Sequence, residues 1–412
     1  MTDNTAGDQT PQTNVQSSGG PVAATAPRIR VSSPAGLLAV IPHLLGFHPS
    51  RSMVIVGLDG PRGRVQLASR YDLPDPPDPA RSREIAEHSI AVLQRRRVRM
   101  VIAVGYGAGR LVTPVADTLR MTLRGTSVAL RDLLRVEGDR YWSYLCKDPG
   151  CCPAEGVAFD RRAHPDAAAL AAAGMTASPD RTALVASLAP VTGPEAESMR
   201  QAEQRTLRRA QQLTAGWSGP RRTRLLIDAG RAAVRDTIAL YRSGGEIADD
   251  DQMAWLIMAV SDIRVRDDAW ARMDPEHHAA HRRLWTDVLR RAREPFVPAP
   301  ASLLAFTAWQ SGEGALANVA IERALTADPG YSMAHLIGQA LEAGLPPSAA
   351  RLPMTPEEVE ASYAGKERRG GVAAKGTARK GRRQGSPPRR SGGRGLAATG
   401  DAGPDPMGSS GR

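Results

Sequence analysis

Lysine is almost missing from this chain: only Lys147, Lys366, Lys375 and Lys380 are present, so nearly all positive charge is arginine. Such a bias follows base composition as readily as function, and arginine abundance alone therefore points to no ligand. Cysteine is scarce too. All three cysteines fall in one stretch, Cys146, Cys151 and Cys152, which excludes a scaffold stapled by several disulfides along its length. Aromatic residues make up 4% of the chain, and none lies in the basic tail, which excludes a base-stacking surface there. The longest apolar run, Pro34 to Phe47, is broken by Pro42 and His43 and falls short of the roughly 20 residues that span a bilayer. Residues 1–27 carry no basic segment followed by an apolar core. The expectation is a cytoplasmic protein with no membrane contact, whose thiols are reduced, metal-bound or redox-active.

What is present is unevenly distributed. Eleven of the basic residues, against the single acid Glu367, lie between Lys366 and Arg394, so most of the net charge of +11 belongs to the tail. With 412 residues, the chain accommodates two ordinary domains and two tails. Residues 1–29 and 351–412 are too polar and low in complexity for a core and read as disordered.

Between the tails the periodicity changes once. In residues 30–190 it predicts an α/β domain, a mixed sheet with helices. Ser33-Pro34 opens a helix that runs to Leu45 and stops at Gly46. Strands over Ser52–Leu58 and Val65–Tyr71 form a hairpin. A helix over Ser82–Arg95, a strand over Val98–Val104 and a helix over Thr113–Leu123 follow. Ser127–Val136 and Arg140–Leu145 pair across Glu137-Gly138-Asp139. Residues 191–350 read as all-α, with helices over Glu195–Leu213, Arg221–Tyr241, Asp250–Val260 and Ala279–Ala292, a break at Pro295–Pro300, and three short helices over Ala301–Gly344. Gly312, Ala317, Ile321, Ala324, Leu325, Asp328 and Pro329 stand in the register of one tetratricopeptide-like helix pair, with Ala334 opening a further helix in phase.

Unusual chemistry is concentrated between Arg140 and Gly156. Asp148-Pro149-Gly150 suits a tight turn that folds Cys146 back towards Cys151 and Cys152. Three readings stand side by side. The thiols bind zinc, with a fourth ligand such as His43, His48 or His164; two of them form a reversible disulfide; or all three are small buried hydrophobes. Directly adjacent cysteines depart from the usual spacing of structural zinc ligands. Strand alternation places Trp142 and Tyr144 on one face and Tyr141 on the other; with Asp148 and Glu155 these residues make a candidate ligand surface.

Three other patterns read as structural. Gly105-Tyr106-Gly107-Ala108-Gly109 sits where phosphate loops sit, yet its spacing is not the dinucleotide fingerprint, and a strand-to-helix turn accounts for it. Glu276-His277-His278-Ala279-Ala280-His281 lacks the glutamate of a metalloprotease pair. Asp249-Asp250-Asp251 suits a helix N-terminus.

The segment Pro34–Ser50, the Tyr141–Gly156 motif and the Gly312–Pro329 unit together resemble the actinobacterial domain of unknown function 4192 family, over roughly Arg30 to Pro347. The resemblance implies a cytoplasmic actinobacterial protein and brings no activity, cofactor or catalytic residue with it. The leading expectation is a non-enzymatic adaptor that binds a protein partner through its helical part, at 301–344. The alternative is a redox sensor, metal-binding protein or enzyme centred on the three cysteines. A weaker one is non-specific contact of 366–394 with nucleic acid or an acidic partner by counterion release.

Overall fold

The computed structural model describes residues 33–59, 64–160, 164–172, 176–349 and 354–363. The chain divides into a unit of residues 1–360, which holds the sheet and the helical array, and another of residues 361–412. The expectation of disorder for 1–29 lies outside the described residues, as does most of that for 351–412. Residues 356–360 are helical.

Helix α1 (Pro34–Leu45) begins as expected, with the Ser33 hydroxyl accepting the Gly36 N–H at 3.1 Å. Strands β1 (Ser52–Asp59) and β2 (Arg64–Asp72) form the hairpin. Helix α2 (Pro79–Arg95) starts earlier than its apolar spacing predicts, because the Asp78 carboxylate caps Ala80 N–H at 2.8 Å. Strand β3 (Met100–Tyr106) leads into α3 (Gly109–Leu123). The glycine-rich link is a strand-to-helix turn, as read from its spacing, and Gly105 adds a packing role that the spacing did not indicate. A Cβ on Gly105 would stand 2.1 Å from a Val112 methyl carbon, so only glycine lets this strand approach its helix so closely.

Strands β4 (Ala129–Glu137), β5 (Arg140–Ser143) and β6 (Val157–Ala158) complete a six-stranded sheet in the order β2-β1-β3-β4-β5-β6. Only β3 and β4 run parallel, joined by the α3 crossover; every other pair is antiparallel. One face of the sheet, with Met53, Ile55, Val101, Ala103 and Leu133, buries α2 and α3 through Ile85, Leu93, Val112, Val115 and Leu119. The other, with Val54, Val56, Val104, Leu134 and Val136, shares its core with Leu37, Leu38 and Ile41 of α1. Two fully apolar faces explain the near-continuous hydrophobic runs of β1 and β3.

Short helices α4 (Pro165–Ala172) and α5 (Arg181–Ser187) precede the helical array. That array comprises α6 (Gly193–Leu213), α7 (Gly219–Arg242), α8 (Asp250–Ala259), α9 (Ile263–Ala271), α10 (His278–Arg291), α11 (Pro298–Gln310), α12 (Gly314–Ala327) and α13 (Ser332–Glu342). The expected break over Pro295–Pro300 is displaced: Pro298 and Pro300 belong to the first turn of α11. Proline is tolerated there because the first-turn N–H groups have no partner within the helix. Helix α9, invisible in the periodicity, starts where Asp262 caps Arg264 N–H at 2.9 Å.

One hydrophobic cluster runs from α1 and the sheet through Leu184 and Leu188 into α6–α13. Polar contacts reinforce the junction: Arg181 reaches both oxygens of Glu322 at 2.5 and 2.6 Å, and Val191 N–H donates to Arg290 C=O at 2.9 Å.

Candidate functional site

The cysteines sit in the link between β5 and β6. That link is held from the sheet side. The β4–β5 hairpin sets Arg135 opposite Trp142. The Arg135 guanidinium lies 3.8 Å from the Trp142 ring centre and pairs with Glu137 at 2.6 Å. Indole Nε1 donates to Ala154 C=O at 3.0 Å, and Arg140 donates to Gly156 C=O at 2.8 Å. Gly156 has φ +83° and faces the indole so closely that a Cβ there would come within 2.6 Å of it. At the other end of the link, the Ser143 hydroxyl donates to Asp132 at 2.8 Å and accepts the Cys146 N–H at 3.1 Å. Between these two anchors Asp148 makes the turn. Its carboxylate accepts Gly150 N–H at 2.8 Å, and its carbonyl accepts Cys151 and Cys152 N–H at 3.2 and 2.7 Å.

The result is convergence of the three thiols. All three Sγ atoms lie within 4.8 Å of one another, and Cys151 and Cys152 are 4.0 Å apart despite being adjacent in sequence. All three are free; Cys151 is exposed and the other two are half-buried. Accessible thiols do not fit the reading as small buried hydrophobes. Their acidities are split. Hydrogen bonds from the Asp148 N–H and the Cys152 thiol hold Cys146 below the ordinary thiol range. Cys152 is pushed up to about 12, chiefly because its proton is engaged by Cys146, then by desolvation and the hydrogen bond with Cys151, with repulsion between neighbouring thiolates adding to these. Cys146 is thus a readier nucleophile or ligand than Cys152.

The expected neighbours separate. Tyr141 packs edge-on against Phe159 at 5.8 Å, on the side shared with α1. Tyr144 packs on the α2–α3 side, its hydroxyl 2.8 Å from that of Thr113. The alternation read from the sequence is therefore observed. Tyr141 stays within electrostatic reach of the cluster: burial first, then the charges of Cys152 and Cys151, raise its pKa. Glu155 is exposed and contributes only its carbonyl, to Arg140. The metal-capable group contains the three cysteines alone, so among the described residues His43, His48 and His164 do not join it. His164 instead faces Asp166, 3.5 Å away.

Arg135, Ser143, Asp132 and Gly156 are the positioning residues that residue-type reasoning passed over. One was legible. A two-residue turn at Gly138-Asp139 fixes the register that sets Arg135 opposite Trp142. The other patterns are structural here as well. Asp249 caps Asp251 N–H at 2.9 Å, and Asp251 pairs with Arg205. His277 and His281 turn to Asp274, at 2.6 and 3.6 Å. In the 301–344 segment, α11 is buried from Pro298 through Trp309, so any open face of that unit belongs to α12 and α13.

The family described as Domain of unknown function (DUF4192) matches residues 34–348, and the chain belongs to it. No curated protein and no solved structure matches the chain. Among the described residues, no helix is long and apolar enough to cross a membrane.

Proposed function

We propose that this member of the DUF4192 family is a thiolate metal-binding protein whose 146–152 turn takes one zinc-class cation through Cys146, Cys151 and Cys152. The observation that carries the reading is the approach of three free Sγ atoms to within 4.8 Å of one another. Zinc holds thiolates at about 2.3 Å, so the sulfurs would close up by about an ångström or less around the ion. An exposed turn can yield that much. A divalent charge also removes the obstacle that keeps Cys152 protonated, since it replaces thiolate repulsion with attraction. Three protein ligands leave one coordination position for an outside group, the arrangement that distinguishes reactive zinc sites from closed structural ones.

A reversible disulfide is the second reading, supported by the low-pKa thiol of Cys146 beside a protonated Cys152. Metal analysis and thiol counting on anaerobically purified protein separate the two. About one zinc per chain, lost in Cys146→Ser and Cys152→Ser, is the expected result. No metal together with three freely titrating thiols overturns the metal reading, and a disulfide appearing under mild oxidant then favours the second. A reducing cytoplasm suits either reading. An adaptor role through 301–344, and a tetratricopeptide-like use of α11 and α12, have less support because α11 offers no open face.

A further inference from the structure

A cavity lies far from the cysteines in sequence, where α6, α7, α8 and α9 meet. It encloses about 190 Å³, is open to solvent on one side, and is lined by Thr206, Ala210, Leu226, Trp255, Met258 and Asp262 among others. Its walls are mainly apolar. Thr206 is 2% exposed, and its hydroxyl has no hydrogen-bond partner among the described residues. A buried hydroxyl in the wall of an apolar pocket, left without a partner, is what a site retains when a ligand group completes it.

The charges around the mouth select the sign of that ligand. Arg205 and Arg209 neighbour the wall residues Thr206 and Ala210 on α6. Of the carboxylates nearby, Asp251 is committed to Arg205 at 2.6 Å and Asp262 to Arg264 at 3.1 Å. Arg231, the other cation facing Asp262, pairs with Glu360 at 3.2 Å. Arg209 lies 4.8 Å from the ring centre of Trp255, itself a wall residue, and its charge also reaches Asp251, whose hydrogen-bonded ion pair is with Arg205.

We infer that the pocket binds a small anionic amphiphile: a carboxylate on an aromatic or acyl body, with the body against Trp255 and Met258 and the anion at Arg209. An apolar cavity of about 150 Å³ takes one benzene ring, so the present volume suits a ring with a short chain. The inference is independent of the cysteine site.

The test uses the full chain with its methionine methyl groups labelled with carbon-13, the Met258 signal being assigned from Met258→Leu. The probes are 4-phenylbutyrate, 4-phenylbutanol and 4-phenylbutylamine, which share a body and differ in charge. The acid should shift the Met258 methyl saturably, with Kd on the order of 0.1 mM for a ligand of this size. The alcohol should bind about threefold or more weakly, the contribution of one partly exposed ion pair, and the amine more weakly still. Arg209→Gln should bring the acid down to the level of the alcohol, and Ala210→Trp should abolish the shift. Equal binding of acid and amine, or no saturable shift with the acid, overturns the inference, and the ligand series itself is run on the wild-type chain.

Discussion

Gly156→Ala is the sharpest perturbation of the cysteine link, and Gly138→Ala is its internal control. Both glycines have positive φ, +83° and +64°. Alanine in that region costs about 1–2 kcal/mol at either position. They differ in what a methyl group would meet. At Gly138 there is nothing within 4 Å, whereas at Gly156 the Trp142 indole lies 2.6 Å away. The ring must tilt out, which breaks its stacking with Arg135 and its hydrogen bond to Ala154 C=O. An exposed cation–π contact is worth about 0.5–1 kcal/mol and one such hydrogen bond about 0.5–1.5 kcal/mol. The Gly156 variant should therefore lose about 1–2.5 kcal/mol more than the Gly138 variant, and lose it locally. Hydrogen exchange of amides 145–158 is the assay, read as the free energy of opening that segment. If the same pre-organisation serves the metal site, zinc affinity should fall by about 5- to 60-fold, at about 1.4 kcal/mol per factor of ten. Equal protection in the two variants, within about 0.5 kcal/mol, would refute the claim that Trp142 clamps the link.

Three further outcomes rest on single side chains. His281 is 1% exposed, and burial lowers its pKa below the ordinary imidazole value. On acidification below about pH 6.5 the unfolded chain therefore takes up a proton that the folded chain refuses. Stability should fall by up to about 1.4 kcal/mol per pH unit from this ring until the folded pKa is passed; urea titrations at pH 7.5 and 5.5 on wild type and His281→Leu, with no difference in pH dependence, would contradict it. Glu203, 4% exposed, is held by Arg293 at 2.6 Å, so Arg293→Met should destabilise by about 1–3 kcal/mol in thermal or urea melts, less than a fully buried pair because the arginine is half-exposed. Adding Glu203→Leu should restore part of the loss. Zinc binding must displace the proton that Cys152 holds up to about 12, so apparent affinity should rise by about a factor of ten or more per pH unit between pH 6 and 8. Competition with a chromophoric chelator measures this, and a flat profile would count against Cys152 as a ligand.

Legibility from sequence followed how local each determinant was. Helix α1 is legible to the residue, because Ser33, Pro34 and Gly46 mark its ends within the helix itself. The β4–β5 pairing is legible because one short turn sets its register. Helix α9 is not. It has nine residues, among them the buried Arg266 and Asp268, so charge stands where apolar periodicity would be sought, and Arg272 at 2.7 Å satisfies that Asp268. The start of α11 escapes such a reading because its prolines suggest a break where they form a first turn. At the cysteine site the sequence indicated convergence through Asp148-Pro149-Gly150, but not the scaffold. Asp132 and Gly156 act through neighbours 11 and 14 residues away, Ser143 and Trp142, and nothing in their residue types announces it.

The junction through Arg181 and Glu322 also has a meaning in time. The two residues are 141 positions apart, and ribosomes deliver about 5–20 residues per second, so the first waits on the order of 10 s for the second. During that interval the sheet and α1 exist without the helices that continue their core beyond Leu184 and Leu188. The nascent N-terminal half is thus a half-finished surface, and a chaperone that recognises exposed leucine and valine would find it there before the last helices leave the ribosome.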